Sequence, residues 1–405
     1  MMNYLIVVPD GAADEKIEEL GNKTPLQAAN MPTINQLAQN GEIGMVQTIP
    51  AGVAPGSDAA NLSVMGYNPA IYLTGRSPLE AASIGIDMSD TDVAFRTNLV
   101  TLTGEGKYED LIIADHSSGD ISNEEAKILI EAVEERFGTE TIHFYPGVSY
   151  RHAMIVNEGS TAYELTPPHD VLTQKVGDHL PKGEGSEFIG KMMKESYDLL
   201  KNHPVNLDRI KRGLNPANSI WIWGQGKKPN LSSFYDKYKI HGTAISAVDL
   251  IKGIAICAGL ETVNVEGATG TIHTNFDGKA QAAIGEFKSG KDFVYMHLEA
   301  PDECSHQGDL AGKIKSLELI DEKVVTPILS YLKESGKDFS VLIVPDHRTP
   351  IAIRTHSADP VPFVLYDSRK AEAFDEKKSF SEEAGATGSK FDSGYQLADY
   401  FFDKQ

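Results

Sequence analysis

Three largely apolar runs predict buried strands, and a carboxylate follows each of them closely. The runs with their carboxylates are 4–8 with Asp10, 293–298 with Asp302, and 340–344 with Asp346. Helical periodicity follows the first run, over about 31–41. Continuous apolar strands that alternate with helices are typical of a parallel sheet with both faces covered. The pattern therefore predicts an α/β core with a mainly parallel central sheet and helices on both faces.

The middle of the chain follows a different pattern. Over 93–156 it predicts two strands, a helix at about 123–137, and two more strands. This order indicates an α+β domain inserted into a discontinuous core. The predicted boundaries are 1–85 and 217–405 for the core and 86–216 for the insertion. A strand at 219–223 opens the second core segment, and its Trp221 and Trp223 alternate with isoleucine, which predicts core side chains.

Aspartates and histidines with metal-ligand spacing surround the second and third strand ends. Asp302 and His306 are four residues apart, which places both on one face of a helical turn. Carboxyl ends of parallel strands share one edge, where function gathers. The set consists of Asp10, Asp302, His306, Asp346, His347 and His356. Its mixed oxygen and nitrogen ligands suffice for two divalent ions and favour manganese, zinc or magnesium. The alternative is a scatter of polar residues satisfied by local hydrogen bonds.

Ser57 stands between a glycine and a helical run, in Gly56-Ser57-Asp58. A serine at such a junction is either a helix N-cap or a nucleophile. No triad pattern accompanies it, so a nucleophilic Ser57 would depend on metal ions for activation. The helix N-terminus would in addition offer N–H groups to phosphate oxygens. Ser57 and two metals together predict a phosphoryl-transfer site.

Cationic and polar side chains in and around the insertion are candidates for substrate binding, the arginines among them for its anionic groups. They are Arg76, Arg96, Asn98, Asp115, His116, Arg151 and His152. Arginine binds phosphate and carboxylate in bidentate fashion. Each of these residues alone is also compatible with a surface or structural role.

The composition limits the partners. Lys and Arg total 37 against 58 Asp and Glu, so the formal net charge is −21. This balance argues against nucleic acid or an anionic membrane surface as the main partner. The first apolar run is too short for a membrane span or a signal peptide. The two cysteines, Cys257 and Cys304, fit a reducing compartment. We therefore expect a cytoplasmic protein that acts on a small molecule.

Five segments, in order along nearly the whole chain, resemble the alkaline phosphatase superfamily. More narrowly, they are similar to cofactor-independent phosphoglycerate mutases of the shorter, archaeal type. The segments are Val8-Pro-Asp-Gly11, Gly56-Ser-Asp-Ala-Ala-Asn-Leu-Ser63, Asp302-x3-His306, Pro345-Asp-His347 and His356-Ser-x-Asp-Pro-Val-Pro362. The resemblance implies an alkaline-phosphatase-like core with an inserted substrate-binding cap.

The resemblance also implies a ligand set and a reaction. One ion would be held by Asp302, His306 and His356, and the other by Asp10, Ser57, Asp346 and His347. With manganese as the expected metal, Ser57 would take the phosphate of 3-phosphoglycerate and return it to the 2-hydroxyl of the retained glycerate.

Two other functions stay open at this point. Sequences of this branch have also been proposed as homoserine kinases. Such an enzyme would transfer phosphate from ATP to the same serine and then from the serine to homoserine. A catalytically inactive sensor of a phosphorylated metabolite is a third hypothesis, and the intact set of metal and nucleophile positions argues against it.

Overall fold

The computed structural model describes residues 2–370 and 373–403. In that part of the chain the strands are β1 (Asn3–Pro9), β2 (Glu42–Val46), β3 (Val93–Thr103), β4 (Ile112–Asp115), β5 (Ile142–Val148), β6 (Arg151–Val156), β7 (Ser219–Lys227), β8 (Gly242–Ile245), β9 (Glu261–Val263), β10 (Phe293–Leu298), β11 (Phe339–Ile343), β12 (Val361–Asp367) and β13 (Ser389–Phe391). The predicted strands at 4–8, 293–298 and 340–344 correspond to β1, β10 and β11.

The α-helices of the same residues are α1 (Pro25–Ala28), α2 (Pro32–Gln39), α3 (Ser57–Val64), α4 (Pro69–Tyr72), α5 (Ser77–Ser83), α6 (Asn123–Phe137), α7 (Glu187–Leu200), α8 (Pro204–Lys211), α9 (Phe234–Tyr238), α10 (Asp249–Cys257), α11 (Phe276–Ser289), α12 (Ala300–Gln307), α13 (Leu310–Leu319), α14 (Thr326–Glu334), α15 (Glu382–Gly385) and α16 (Gly394–Phe401). A π-helical turn, Ile320–Val325, joins α13 to α14. None of the helices in the described residues combines the length and the apolar character that a membrane crossing requires.

The chain divides into two compact units. Unit 1 consists of Met1–Leu73 and Asn230–Gln405, and unit 2 consists of Thr74–Pro229. Unit 1 contains an eight-stranded sheet in the order β13-β2-β12-β11-β1-β10-β8-β9. The run from β11 to β9 is parallel, whereas β12 is antiparallel to both of its neighbours. The predicted α/β class with a mainly parallel central sheet is confirmed.

Strands β1, β10 and β11 are buried along their whole length. Successive side chains of a strand point to opposite faces, so both faces of the sheet are covered at these strands. The register sets Pro9 opposite Leu298 and Val7 opposite Ile343. Because the three strands are parallel neighbours, their carboxyl ends lie at one edge of the sheet, and the acidic residues that follow them are brought together.

Unit 2 is an antiparallel sheet built around the long strand β3. Strand β7 pairs along one side of β3, and β6 and β4 pair along the other. Helix α6, which has the predicted bounds, packs against β5, and α7 packs against β7. The predicted α+β character of the inserted segment agrees with this architecture.

One assignment from the sequence is wrong. Strand β7, with Trp221 and Trp223, belongs to the sheet of unit 2 and not to the second core segment, because Val93 to Val100 pair with it. Helix α5 packs against β3 and β7. These two elements extend the compact unit at both ends beyond the predicted 86–216.

Candidate active site

Asp10 and the adjacent pair Asp346 and His347 meet at the carboxyl edge of the unit 1 sheet. Asp10 follows β1, and the pair follows the neighbouring parallel strand β11. His347 Nε2 lies 3.5 Å from Asp10 Oδ1 and 3.4 Å from Asp346 Oδ2. All three side chains are buried, and their ligand atoms lie within 4.8 Å of one another, so this group can hold a metal ion.

A second group lies beside the first. Helix α12 places Asp302 and His306 on one face, with 3.0 Å between Asp302 Oδ2 and His306 Nε2. His356 Nε2 is 3.6 Å from Asp302 Oδ1 and 3.0 Å from His306 Nε2. Asp302, His347 and His356 also offer ligand atoms within 4.8 Å of one another. The structure thus brings together all six of the predicted aspartates and histidines, and His347 belongs to both groups.

The electrostatics of this cluster favour the binding of cations. Burial, followed by the neighbouring carboxylates of Asp346 and Asp302, raises the pKa of Asp10 well above its usual range. Asp10 Oδ1 is buried and has no hydrogen-bond partner among the described residues. The hydrogen bond to Asp302 raises the pKa of His306 to about 9. A carboxylate oxygen without a partner, surrounded by further carboxylates and imidazoles, fits a divalent metal ion.

Ser57 faces this cluster. It is the first residue of α3, and Gly56, not Ser57, occupies the N-cap position. The Ser57 hydroxyl lies 3.1 Å from His347 Nε2. Of the two roles that the sequence leaves open for Ser57, the geometry agrees with that of a nucleophile.

Asn61, which the sequence analysis did not single out as a site residue, holds Ser57 in place. Its side-chain amide donates to Ser57 O and to Asp346 Oδ2, both at 2.8 Å. Its Oδ1 accepts a hydrogen bond of 2.5 Å from Tyr295 Oη. The spacing of four residues from Ser57 on a helix was the available signal, because it places the two on one face.

His297 is a second residue that the sequence analysis missed. It lies in the buried strand β10, with Nε2 3.0 Å from Asp10 Oδ2 and Nδ1 3.2 Å from Ser246 Oγ. Burial lowers its pKa to about 4, so the ring is neutral near pH 7. A histidine inside an otherwise apolar run was the only signal for it.

Unit 2 contains a cavity of about 280 Å³ lined by polar and aromatic side chains. The lining residues are Arg96, Asn98, His116, Tyr150, Arg151, His169 and Trp223. Four of the predicted substrate-binding residues therefore share one cavity. Trp221 and Trp223 are both buried in the core as predicted, and Trp223 in addition lines the cavity.

Hydrogen bonds connect the residues of the cavity wall. Trp223 Nε1 donates to Asn98 Oδ1 at 2.9 Å, and Asn98 Nδ2 donates to the carbonyl of His116 at 3.1 Å. The guanidinium of Arg96 lies 4.8 Å from the Trp223 ring and forms a two-pronged ion pair with Glu80. These contacts leave Arg96 partly neutralised.

Three other predicted substrate-binding residues do not line this cavity. Arg76 is exposed immediately before α5. His152 is buried and its Nδ1 accepts a hydrogen bond from the Gly147 backbone at 3.0 Å. The Asp115 carboxylate accepts hydrogen bonds from a turn that includes Gly119. Burial raises the pKa of Asp115, but these hydrogen bonds outweigh it and the pKa is lowered.

Comparisons with known proteins converge on one family. A family model described as 2,3-bisphosphoglycerate-independent phosphoglycerate mutase matches residues 38–206. A relative of that name from Methanosarcina barkeri is 48% identical over 384 residues, which cover 93% of this chain and 95% of its own length. A probable enzyme of the same name from Geobacter sulfurreducens is 45% identical over 403 residues. The alignment covers 100% of this chain and 100% of that protein.

Solved structures agree with these relatives. A protein from Pyrococcus horikoshii has a TM-score of 0.81 at 27% identity and covers 100% of this chain and 98% of its own. A cofactor-independent phosphoglycerate mutase from Thermoplasma acidophilum has a TM-score of 0.69 at 26% identity, over 100% and 99% of the two chains. Nothing in these comparisons supports the homoserine kinase alternative.

Proposed function

Because the chain belongs to the 2,3-bisphosphoglycerate-independent phosphoglycerate mutase family, we propose that it interconverts 3-phosphoglycerate and 2-phosphoglycerate through a phosphoserine at Ser57. The proposal rests on the position of the Ser57 hydroxyl. Ser57 is the first residue of α3, and its hydroxyl lies 3.1 Å from His347 Nε2. A nucleophile in this position meets a cluster of candidate metal ligands, and the positive end of the α3 helix dipole would favour a bound phosphate.

We infer two divalent ions in unit 1. Asp302, His306 and His356 would hold one, and Asp10, Ser57, Asp346 and His347 the other. The mixed donor set and the partnerless Asp10 Oδ1 support this assignment. Manganese fits the combination of carboxylates and imidazoles. When bound, the ions favour the ionised form of the serine and neutralise charge on the phosphate.

The proposed reaction consists of two phosphoryl transfers and a proton transfer. Ser57 Oγ bonds to phosphorus as the bond from phosphorus to O3 of glycerate breaks. After the glycerate turns, its O2 bonds to phosphorus and Ser57 Oγ leaves. O3 must gain a proton and O2 must lose one, and we assign this transfer to His116. Asp115 would hold the turn that follows His116.

We further propose that unit 2 is the substrate-binding cap. Arg96, Asn98 and Arg151 would bind the charged and hydroxyl groups of the glycerate moiety from the cavity wall. Arginine is suited to this because its planar fork matches a carboxylate. The substrate is then a small phosphorylated metabolite. The low cysteine content, two in 405 residues, supports a cytoplasmic location.

Replacement of the nucleophile tests the proposal. Ser57→Ala should abolish conversion of 3-phosphoglycerate, followed by phosphorus NMR, and should eliminate the phosphoserine from the quenched protein. Ser63→Ala is the matched control, since Ser63 lies in the same helix, is buried, and finds no hydrogen-bond partner for its hydroxyl in the part of the chain that the structure describes. Turnover in Ser57→Ala would overturn the role of Ser57. In a parallel assay with ATP and homoserine we expect no product.

A further inference from the structure

The Thr349 hydroxyl touches one proposed ligand of each of the two ions. Thr349 is buried two residues after His347. Its Oγ1 lies 2.5 Å from Asp302 Oδ1 and 3.1 Å from His347 Nδ1. The sequence analysis gave this residue no role, and the reaction proposed above does not use it.

The proton count at this hydroxyl is unambiguous. A carboxylate accepts hydrogen bonds only, so the single hydrogen of Thr349 is donated to Asp302. The hydroxyl oxygen can then interact with His347 Nδ1 only as an acceptor, which requires the ring proton to sit on Nδ1. The Nε2 of a neutral His347 is therefore left with a free lone pair.

That lone pair points at the candidate metal position. His347 Nε2 is the atom 3.5 Å from Asp10 Oδ1, 3.4 Å from Asp346 Oδ2 and 3.1 Å from Ser57 Oγ. Two carboxylate oxygens and an imidazole lone pair that face one another repel unless a cation or a donated proton lies between them. The tautomer set by Thr349 is thus the one that metal binding requires.

The backbone around Thr349 is fixed in turn by a buried ion pair. Lys313 Nζ donates to the Thr349 carbonyl at 3.0 Å and to Asp14 Oδ2 at 2.8 Å, and both side chains are almost fully buried. The Thr349 N–H donates to the carbonyl of Ala13 at 3.2 Å. On the other side, a Cβ at Gly11 would lie 2.5 Å from both Thr349 Oγ1 and Asp302 Oδ1. These contacts fix the position of the Thr349 hydroxyl.

We propose that Thr349 is a positioning residue that couples the two metal groups, by holding His347 in the Nδ1–H tautomer and Asp302 in its ligand orientation. This inference rests on the metal centre of the proposed function. Threonine suits the task better than serine, because its branched Cβ restricts the side-chain rotamer.

Two measurements on the full chain test it. Metal-free protein labelled with ¹⁵N-histidine reports the tautomer of His347 by NMR, with His347→Gln to assign the signal. Titration with Mn²⁺, followed by the EPR signal of the free ion, reports the affinity. The variants are Thr349→Val, which keeps the shape, and Thr349→Ser, which keeps the hydroxyl. The control is Thr243→Val, which removes a buried hydroxyl that donates to the Glu261 carbonyl at 3.2 Å.

The wild type should show His347 protonated on Nδ1, and Thr349→Val should lose this preference and bind Mn²⁺ at least about tenfold more weakly. Thr349→Ser should retain most of both properties, and Thr243→Val should match the wild type. An Nε2–H tautomer in the wild type would overturn the inference, and so would unchanged Mn²⁺ affinity in Thr349→Val. If Thr349→Val does not fold, the wild-type tautomer still decides. A wild type that binds no Mn²⁺ would overturn the metal centre of the proposed function, and the tautomer of the metal-free protein would still decide the role of Thr349.

Discussion

The side-chain amide of Asn61 donates to Asp346 Oδ2 at 2.8 Å, and the same nitrogen donates to Ser57 O at an equal distance. One amide group therefore ties the helix of the proposed nucleophile to a strand end that carries proposed metal ligands. The contact is buried, and Tyr295 fixes the other end of the amide.

Removal of this link should lower kcat without unfolding the protein. We expect Asn61→Ala to reduce kcat by about 10- to 100-fold, as for other supports of a metal site, and to leave KM for 3-phosphoglycerate within a few-fold. Asn3→Ala is the matched control, because Asn3 is a buried asparagine at the opposite end of β1 and its amide has no hydrogen-bond partner within residues 2–370 and 373–403. Equal kcat for Asn61→Ala and the wild type would contradict the proposed link.

The close packing around Gly11 predicts that even an alanine side chain would not fit there. It has φ +61°, and an added Cβ would lie 2.5 Å from Asp302 Oδ1 and from Thr349 Oγ1. Gly21 has φ +67°, and none of the described residues lies within 4 Å of an added Cβ. Gly21→Ala should therefore cost only the left-handed strain of about 1–2 kcal/mol. Gly11→Ala carries the same strain and a collision, so it should cost more in the free energy of unfolding and should also weaken Mn²⁺ binding. Equal losses in the two variants would show that the collision is relieved without cost.

Much of this arrangement could be predicted because the signals are local. A fully apolar run such as 4–8 in β1, and a helix with the periodicity of α6, are specified by short stretches of sequence. Parallel strands then bring their carboxyl ends to one edge without further information. Asp10, Asp302 and Asp346 could be grouped on that basis alone.

Other features depend on partners that are distant in sequence. Strand β7 has the same apolar alternation whichever sheet it joins, and only its pairing with β3 assigns it to unit 2. Trp223 alternates with isoleucine like a core residue, yet one side of it forms the cavity wall. Thr349 acquires its partners from α12 and from the loop after β11, and no spacing rule marks a lone threonine.

A comparison of variants at Arg151 and Arg136 distinguishes a loss of substrate binding from a loss of surface charge in unit 2. Arg151 lines the cavity, with its guanidinium 5.8 Å from the Tyr150 ring. Arg136 is exposed and pairs with Glu195 at 2.9 Å. Steady-state kinetics should show a loss of at least about tenfold in kcat/KM for Arg151→Gln, because a charge-assisted hydrogen bond contributes roughly 1.5–3 kcal/mol. Arg136→Gln should match the wild type. If both variants or neither lost activity, the cavity would not be the substrate site.

Removal of divalent metal should abolish activity and lower stability together. A ligand at 100 times its Kd stabilises the folded state by about 2.7 kcal/mol. Chelated protein should therefore be inactive and should unfold at a lower temperature, and Mn²⁺ should restore both properties. Ca²⁺ is the control ion, because it prefers oxygen ligands and the cluster contains three histidines. Full activity after chelation, with no metal found by elemental analysis, would refute the metal centre.

The lowered pKa of the buried His152 side chain predicts how the stability of unit 2 depends on pH. Burial lowers its pKa to about 3, whereas an unfolded histidine titrates near 6.5. The folded state therefore stays neutral at His152 while the unfolded state takes up a proton as the pH falls below 6.5. Each pH unit between these two values should lower the free energy of unfolding by about 1.4 kcal/mol, so the loss from pH 7.5 to pH 5 should be about 2 kcal/mol.

Tryptophan fluorescence isolates this effect, because the two tryptophans of the chain, Trp221 and Trp223, both belong to unit 2. His152→Asn keeps an acceptor near Nδ1 but cannot titrate, so its unfolding in urea should lose about 2 kcal/mol less than the wild type over the same pH range. The comparison uses the difference between pH values within each protein, which cancels the cost of the substitution itself. His169, whose pKa burial also lowers, is present in both proteins and cancels in the same way. Identical pH dependence in wild type and variant would show that His152 is accessible to protons in the folded state.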